Sequence, residues 1–561
     1  VEVHITMLVS TFSRFALPLC AALVLGGCLD HPLKQVVYDK TSEDDLVFDI
    51  AVNKDVDILF VIDNSGSMAE EQALLSANFK AFIDVLERDD VKANYRIGIT
   101  TTDSGNPRCP NTTPEGGRLG LSSCVDRAAD QEFAFNGEDF SFACSDFCGK
   151  DDAEIRIKPT STEVDAEVKP RTWLQSINGE TNVEGADSMV EAFQCFGPQG
   201  VAGCGVESHL ESMYKALAAS SDRNSSNYGF VREDAILSVV VISDETDCSF
   251  NPATKEIFTS NKVFWDDPVN GVAPTSAACW NAGVQCSGEG PTYSECHAEN
   301  HDLTGAPGAA DADAVLLPVS KYVDFLQGIE DAKRANSEEK DAEVLVSLIA
   351  GVPKGYEAAG GPELVYQDSD DPEFQANFGI GPGCVLPSGE PMVADQTAVP
   401  PVREREFAEA FEVGGERNLY SICQTDYSGA LKSIADKLVA QIKPACMPSC
   451  VRDLDPSTSF AEADCQLFDS LEDGSKTEIV PCEVVGGVWT APEGEAVCFA
   501  ELVDPDAKQT PSALDDMSPD CADKGLNLEF KIVRSGPAPD GSAVTATCQL
   551  SDNKGRDCPM L

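Results

Sequence analysis

The sequence predicts an α/β protein: a doubly wound, mostly parallel sheet carrying disulfide-rich inserts, followed by a small β-rich domain. Three observations lead there. Apolar, β-branched runs at 56–62, 235–243 and 342–350 have the texture of strands buried on both faces. The first run passes into a segment with Leu75, Phe79, Phe82, Ile83 and Leu86 at helical spacing, so strand and crossover helix alternate. From Lys443 the helical period disappears while Cys446, Cys450, Cys465, Cys482, Cys498, Cys521, Cys548 and Cys558 accumulate, as in a disulfide-stapled β domain over 443–561.

The elements follow in order. From Met7, a basic Arg14 precedes the apolar Phe15–Leu25, too short to span a bilayer, which reads as a secretory signal over 1–28. Leu25-Gly-Gly-Cys28 resembles the bacterial lipobox, which implies lipidation of Cys28 and a durable membrane anchor. The acidic stretch 29–54, with Thr41-Ser-Glu-Asp-Asp45, reads as a tether. The core domain is predicted over 55–442. Its first strand, 56–62, is followed by a helix over 68–88 and a strand over 95–101, a parallel pair joined by one crossover. An insert at 103–170 separates these from helices at 186–196 and 207–219, themselves divided by the Gly-rich 197–205. The strand at 235–243 leads to a second insert at 245–340, and the strand at 342–350 to a third at 351–417. A strand at 418–422 and a helix at 427–442 close the domain. Each insert leaves the carboxyl end of a strand, the edge where open α/β sheets bind ligands. Near the end, 526–533 and 542–548 alternate around Pro537–Gly541, which reads as a hairpin.

The first strand stops in a polar turn holding Asp63, Ser65 and Ser67 at alternate positions, with Gly66 between the serines. One carboxylate and two hydroxyls are hard oxygen ligands, suited to Mg²⁺, which prefers six oxygens and keeps some of its waters. The turn resembles the metal-ion-dependent adhesion site of von Willebrand factor type A domains, whose Asp-x-Ser-x-Ser it matches without a gap. That resemblance implies a Thr and a second Asp from later loops. Gly179-Glu-Thr-Asn-Val-Glu-Gly185 looks like the threonine loop, with Thr181 as ligand, and Asp244 looks like the last ligand. Family members usually place Gly directly after that Asp; here Glu245, Thr246 and Asp247 follow. By the resemblance, Ser65, Ser67 and Thr181 contact Mg²⁺, with Mn²⁺ or Ca²⁺ as alternatives. Asp63 and Asp244 act directly or through water, and a Glu or Asp of a protein partner, or another acidic ligand, takes the open position.

The composition narrows the function. A formal net charge of −55 and a pI near 4.2 repel nucleic acid and anionic membrane surfaces. Setting aside Cys20 and Cys28 in the signal region leaves an even set of cysteines with irregular spacing and no Cys-x-x-Cys, the pattern of disulfides made in an oxidising compartment. Close pairs such as Cys144 and Cys148, Cys195 and Cys204, and Cys446 and Cys450 fit local pairing, although connectivity does not follow from sequence. His297 and His301 lack the zinc-protease pattern, and no nucleophile elbow or phosphate loop occurs. The expectation is therefore a lipid-anchored protein of the bacterial envelope, in the outer membrane and facing the periplasm or the surface, that binds a partner through a divalent cation and is not an enzyme. The alternatives are a metal-assisted hydrolase with its site in an insert, and an assembly scaffold with a structural metal.

Overall fold

In the computed structural model, residues 47–559 are described apart from short internal stretches, the longest being 337–343, 387–395, 506–511 and 535–541. The signal, Cys28 and residues 29–46 of the tether lie outside the described residues.

The first strand, β1 (Val47–Ile50), belongs to the second sheet. The α/β part begins with β2 (Asp55–Ile62), α1 (Ala69–Leu86) and β3 (Asn94–Thr101). It continues through β4 (Trp173–Ile177), β5 (Glu180–Thr181), α2 (Met189–Phe196), α3 (His209–Ala219), β6 (Ile236–Ile242), α4 (Val319–Asn336), β7 (Val344–Ala350), α5 (Val402–Glu409), β8 (Leu419–Ser421) and α6 (Ser428–Val439). Seven strands form one mixed sheet in the order β5-β4-β3-β2-β6-β7-β8. The run from β3 to β8 is parallel, and β4 and β5 form an antiparallel edge.

Alternation along the buried strands decides which layer each side chain joins. Val56, Ile58, Phe60 and Ile62 of β2 pack with Phe79 and Phe82 of α1, Phe193 of α2 and Leu431 of α6. Leu59 and Val61 pack on the other face with Leu210 and Met213 of α3, Leu326 of α4 and Phe407 of α5. Helices therefore cover both faces, as the continuous apolar strands demand. Two of these helices, α4 and α5, lie within stretches the sequence reading gave to the second and third inserts. Their apolar residues are interrupted by charge, which obscured the period.

The second sheet has the order β1-β14-β10-β11-β12-β13-β9, with β9 (Ala445–Cys446), β10 (Cys465–Leu471), β11 (Lys476–Pro481), β12 (Val497–Leu502), β13 (Glu529–Arg534) and β14 (Ser542–Cys548). Leu467, Ile479, Phe499, Phe530 and Ala546 form its core. Two expectations are corrected here. The stretch 47–50 is not tether: Val47 to Ile50 pair antiparallel with Thr547 to Val544, completing the edge beside β14. The expected hairpin is not formed either, because β13 pairs with β12 and β9 while β14 pairs with β1 and β10. Alternation marks a strand but carries no information about its neighbour.

All cysteines outside the signal region form ten disulfides, as expected of an exported chain, but not the local ones. Cys144 joins Cys124, Cys148 joins Cys195, and Cys204 joins Cys109. Cys446 joins Cys521 and Cys450 joins Cys558. A bridge needs paired Cα positions and converging Cβ directions, which the tertiary fold sets, so sequence proximity does not supply bridging geometry. Among the described residues no helix is long and apolar enough to cross a membrane.

Candidate functional site

The strand order reverses between β2 and β6: the chain builds outward from β2 through β3 to β5, then returns to place β6 on the other side of β2. In such a sheet the carboxyl ends of the two strands at the reversal diverge and leave a crevice. Asp63 follows β2 there, and Ser243 and Asp244 follow β6. The strands stay in step to their ends, with Ile62 opposite Ile242 and the Asp63 amide donating to the Ile242 carbonyl at 3.0 Å.

The Asp63 turn is tightly organised. Asp63 is fully buried, and its Oδ1 accepts the Ser65 amide at 2.8 Å. The Ser65 and Ser67 hydroxyls lie 3.2 Å apart, and Ser67 is near enough to the Asp244 carboxylate to favour its charged form. Gly66 is required for close approach, since a Cβ there would fall 2.3 Å from the ring of Phe135, which the first insert lays over the turn. Asp63, Ser65, Ser67 and Asp244 are thus brought together.

Thr181 is not. It pairs with Ser176, Ser176 pairs with Tyr95, and Tyr95 pairs with Val56, so Thr181 lies level with the start of β2. Asp63 is seven residues farther along, roughly 20 Å away along the strand alone. The expected threonine loop is instead the turn of an antiparallel edge hairpin, with Gly179 at φ 77° reversing the chain at the amino edge. Thr181 is corrected on that ground.

The third loop at the crevice is the segment 197–208, which combines the Gly-rich separator expected at 197–205 with Glu207, expected as the start of the following helix; that helix begins at His209. The Gly203 amide donates to the Asn64 carbonyl at 2.8 Å, and a Cβ on Gly203 would meet the Asn64 side chain at 2.2 Å. The segment delivers Glu207, 1% exposed, against Glu245 and near Asp63. Among the described residues no donor reaches either Glu207 carboxylate oxygen, nor Oδ1 of Asp244, Oε2 of Glu245 or Oδ1 of Asn64. The signal that could have found Glu207 is a glycine loop immediately before an amphipathic helix that must start at the carboxyl edge to reach β6.

The charges explain why these groups want company. Burial, then Glu245 and Asp63, pushes the Glu207 carboxyl well above its ordinary range. Burial, then Asp63, Glu71 and Glu245, does the same for Asp244. Burial raises Glu245 to about 7, with Asp63 adding to it. Beneath them His209, fully buried, sits with Nε2 2.7 Å from Ser243 Oγ and Nδ1 3.2 Å from Glu404. Ser243 in turn donates to Asp63 Oδ2 at 2.5 Å. Burial works against the imidazolium, but the nearby carboxylates of Asp63, Glu404 and Asp247 favour it more strongly and raise it to about 10. Arg403 pairs with Asp247 at 3.1 Å. His209 and Arg403 thus offset Asp63, Asp247 and Glu404, leaving Glu245 with two acidic neighbours, Glu207 and Asp244. Such a set is stable when a cation sits among it or when protons replace the charges. Among the described residues no three His, Cys, Asp or Glu side chains form a metal cage by themselves, so the Ser65 and Ser67 hydroxyls would have to complete any set. Oxygen-only donors of this kind fit Mg²⁺, Mn²⁺ or Ca²⁺.

No family model and no curated protein matches this chain. Among solved structures it is similar to the pilus adhesin SpaC from Lactobacillus rhamnosus GG in its open conformation, with a TM-score of 0.28 and 10% identity over 90% of this chain. The chain spans 40% of the length of that adhesin.

Proposed function

We propose that this is an exported protein, anchored in a bacterial envelope through lipid on Cys28, whose α/β domain resembles von Willebrand factor type A domains and binds its partner through a divalent cation. The observation that carries this reading is the meeting of Asp63, Ser65 and Ser67 with Asp244 in the crevice where the strand order reverses, beside buried carboxylates that lack donors. Asp63, Ser65, Ser67 and Asp244 would hold the ion, with the loop carrying Glu207 beside Asp63 and Glu245. The bound ion would supply a Lewis-acidic position for an oxygen of the partner, a carboxylate first among them. Phe135 and the disulfide-tied inserts around the crevice restrict what reaches it.

The test combines stability with capture. Mg²⁺, Mn²⁺ or Ca²⁺ should raise the Tm of chelator-stripped wild type, by mass action on the folded state, and leave Asp63→Ala unmoved. Immobilised wild type should retain envelope components that elute with chelator and are not retained by Ser67→Ala. Capture unaffected by chelator would count against the reading. Loss of thermal stability without any change in capture would point instead to a scaffold with a structural ion.

A further inference from the structure

Between β11 and β12 the chain makes a small two-stranded hairpin, in which Glu483, Val484 and Val485 pair antiparallel with Thr490, Trp489 and Val488. Val484, Val485 and Val488 are 48%, 59% and 57% exposed, three neighbouring valines on a strand pair that joins neither large sheet. The hairpin is held at its base. Cys482 is bridged to Cys498 of β12, and the Trp489 indole donates to the Leu514 carbonyl at 2.9 Å. Apolar surface gathered on one fixed hairpin marks a contact surface, unlike valines exposed singly.

The strand register indicates what the hairpin faces. Val47, where the chain enters the second sheet, lies opposite Thr547 of β14, and Thr547 lies opposite Gln466 of β10. The next residue of β10, Leu467, lies opposite Ile479 of β11. The amino end of β1 is therefore level with the end of β11, from which the hairpin departs, while β1 itself runs the other way, toward β2. Residues 29–46, between the proposed lipid on Cys28 and Val47, span at most roughly 60 Å when fully extended. The end of the second sheet that carries the exposed valines is thus the end tethered to the bilayer. A stable protein interface engages about 20–30 residues a side, far more than three valines and one indole supply. At a lipid surface a few apolar side chains suffice once a short tether keeps their local concentration high.

We infer that this hairpin is a lipid-contacting finger, with Val484, Val485 and Val488 at the acyl boundary and Trp489 at headgroup level, where amphipathic rings settle. This rests on the anchoring through Cys28 proposed above and adds a second, non-covalent contact that limits how the second sheet turns on its tether. Glu483 beside the valines and the net charge of −55 oppose anionic headgroups, so the contact is to zwitterionic lipid.

The experiment reconstitutes the lipidated full chain into phosphatidylcholine vesicles, with and without bromine on the acyl chains, and reads tryptophan fluorescence. Trp173, Trp265 and Trp280 are buried, which leaves Trp489 as the ring within reach of a bilayer. Brominated lipid should quench the wild type, and Trp489→Phe should abolish that quenching. Val485→Asp combined with Val488→Asp should reduce it at least about threefold, because a carboxylate is costly at the acyl boundary. Val272→Asp, at a valine 98% exposed in the α/β part, should leave it unchanged. If the double variant fails to fold, Val484→Asp takes its place. Vesicle-bound wild type that is not quenched, or quenching equal in wild type and the hairpin variants, overturns the inference and leaves the anchoring intact. Wild type that does not float with vesicles overturns the anchoring and the inference with it. Self-association without quenching, lost in the hairpin variants, would assign the finger to a second copy of this chain and overturn the lipid contact.

Discussion

Gln72 joins two loops of the crevice through one side chain. Its Nε2 donates to the carbonyls of Asp63 at 2.9 Å and Gly200 at 2.8 Å, while its Oε1 accepts the Gln199 amide at 2.8 Å. It lies in the first turn of α1, 1% exposed, so water does not replace a lost partner. Gln72→Leu keeps the volume but strands two carbonyls and an amide; it should cost about 2–4 kcal/mol in urea unfolding of the ion-free protein. It should also weaken the divalent-ion response, since the 197–208 loop loses its tie to the Asp63 turn. A Gln72→Leu protein as stable as wild type would mean that the two loops are held by something else. His209 works in the same manner, linking Asp63 through Ser243 to Glu404 of α5, so a residue of the expected third insert bears on the Asp63 turn.

Among the elements, the loops are where disulfides matter. The Cys109–Cys204 bridge closes a separation of 95 residues and pins the first insert to the segment ending at Glu207. Replacing both cysteines by serine should destabilise the chain by about 2–5 kcal/mol in guanidinium unfolding, chiefly through the freedom regained by the unfolded chain. Ion affinity should fall with it, and unchanged affinity would show that the Glu207 loop is positioned without the bridge. The strands 56–62, 235–243 and 342–350 and helix α1 were legible in the sequence because they are long and their pattern is dictated by burial. Asp63, Ser65, Ser67 and Asp244 were legible as a set because two of the loops directly follow such strands. β4 was missed because an edge strand of mixed composition, Trp173-Leu-Gln-Ser-Ile177, carries little period. That omission is what misplaced Thr181: without β4, nothing showed that the chain was travelling away from the crevice when it reached Gly179. Glu207 was hidden for another reason: among 95 acidic residues a lone carboxylate does not stand out, and only the glycine loop before its helix marks the place.

At the scale of the whole molecule, the two sheets answer to different solution variables. The crevice at Asp63 and Asp244 belongs to the first; the second carries Glu501 on β12, whose carboxyl is raised to about 7 by burial and then by Asp464. A raised acid binds its proton more readily in the folded state, so its contribution favours folding below the unfolded value near 4.5. That contribution is lost as pH rises toward 7, beyond which the charged form is a constant cost. Glu501→Gln should therefore stabilise the protein by on the order of 1–2 kcal/mol at pH 8, with the difference vanishing near pH 4. Melting curves of the two proteins across that range check it, and a constant difference at every pH would refute it. Such an effect is small beside a net charge of −55, so the comparison has to be made between variants at each pH rather than along one profile.

The strand register also has a mechanical meaning. The chain enters the first sheet at Asp55, and the Arg88–Asp436 ion pair at 3.4 Å ties the foot of α1 to the last turns of α6 at that same edge, while Asp63 lies at the other end of β2. Tension between Asp55 and a guest held at Asp63 would run along the axis of β2. The hydrogen bonds to β3 and β6, in step from Asp55 opposite Asn94 and from Val56 opposite Ile236, would then bear the load together in shear, instead of peeling open one after another.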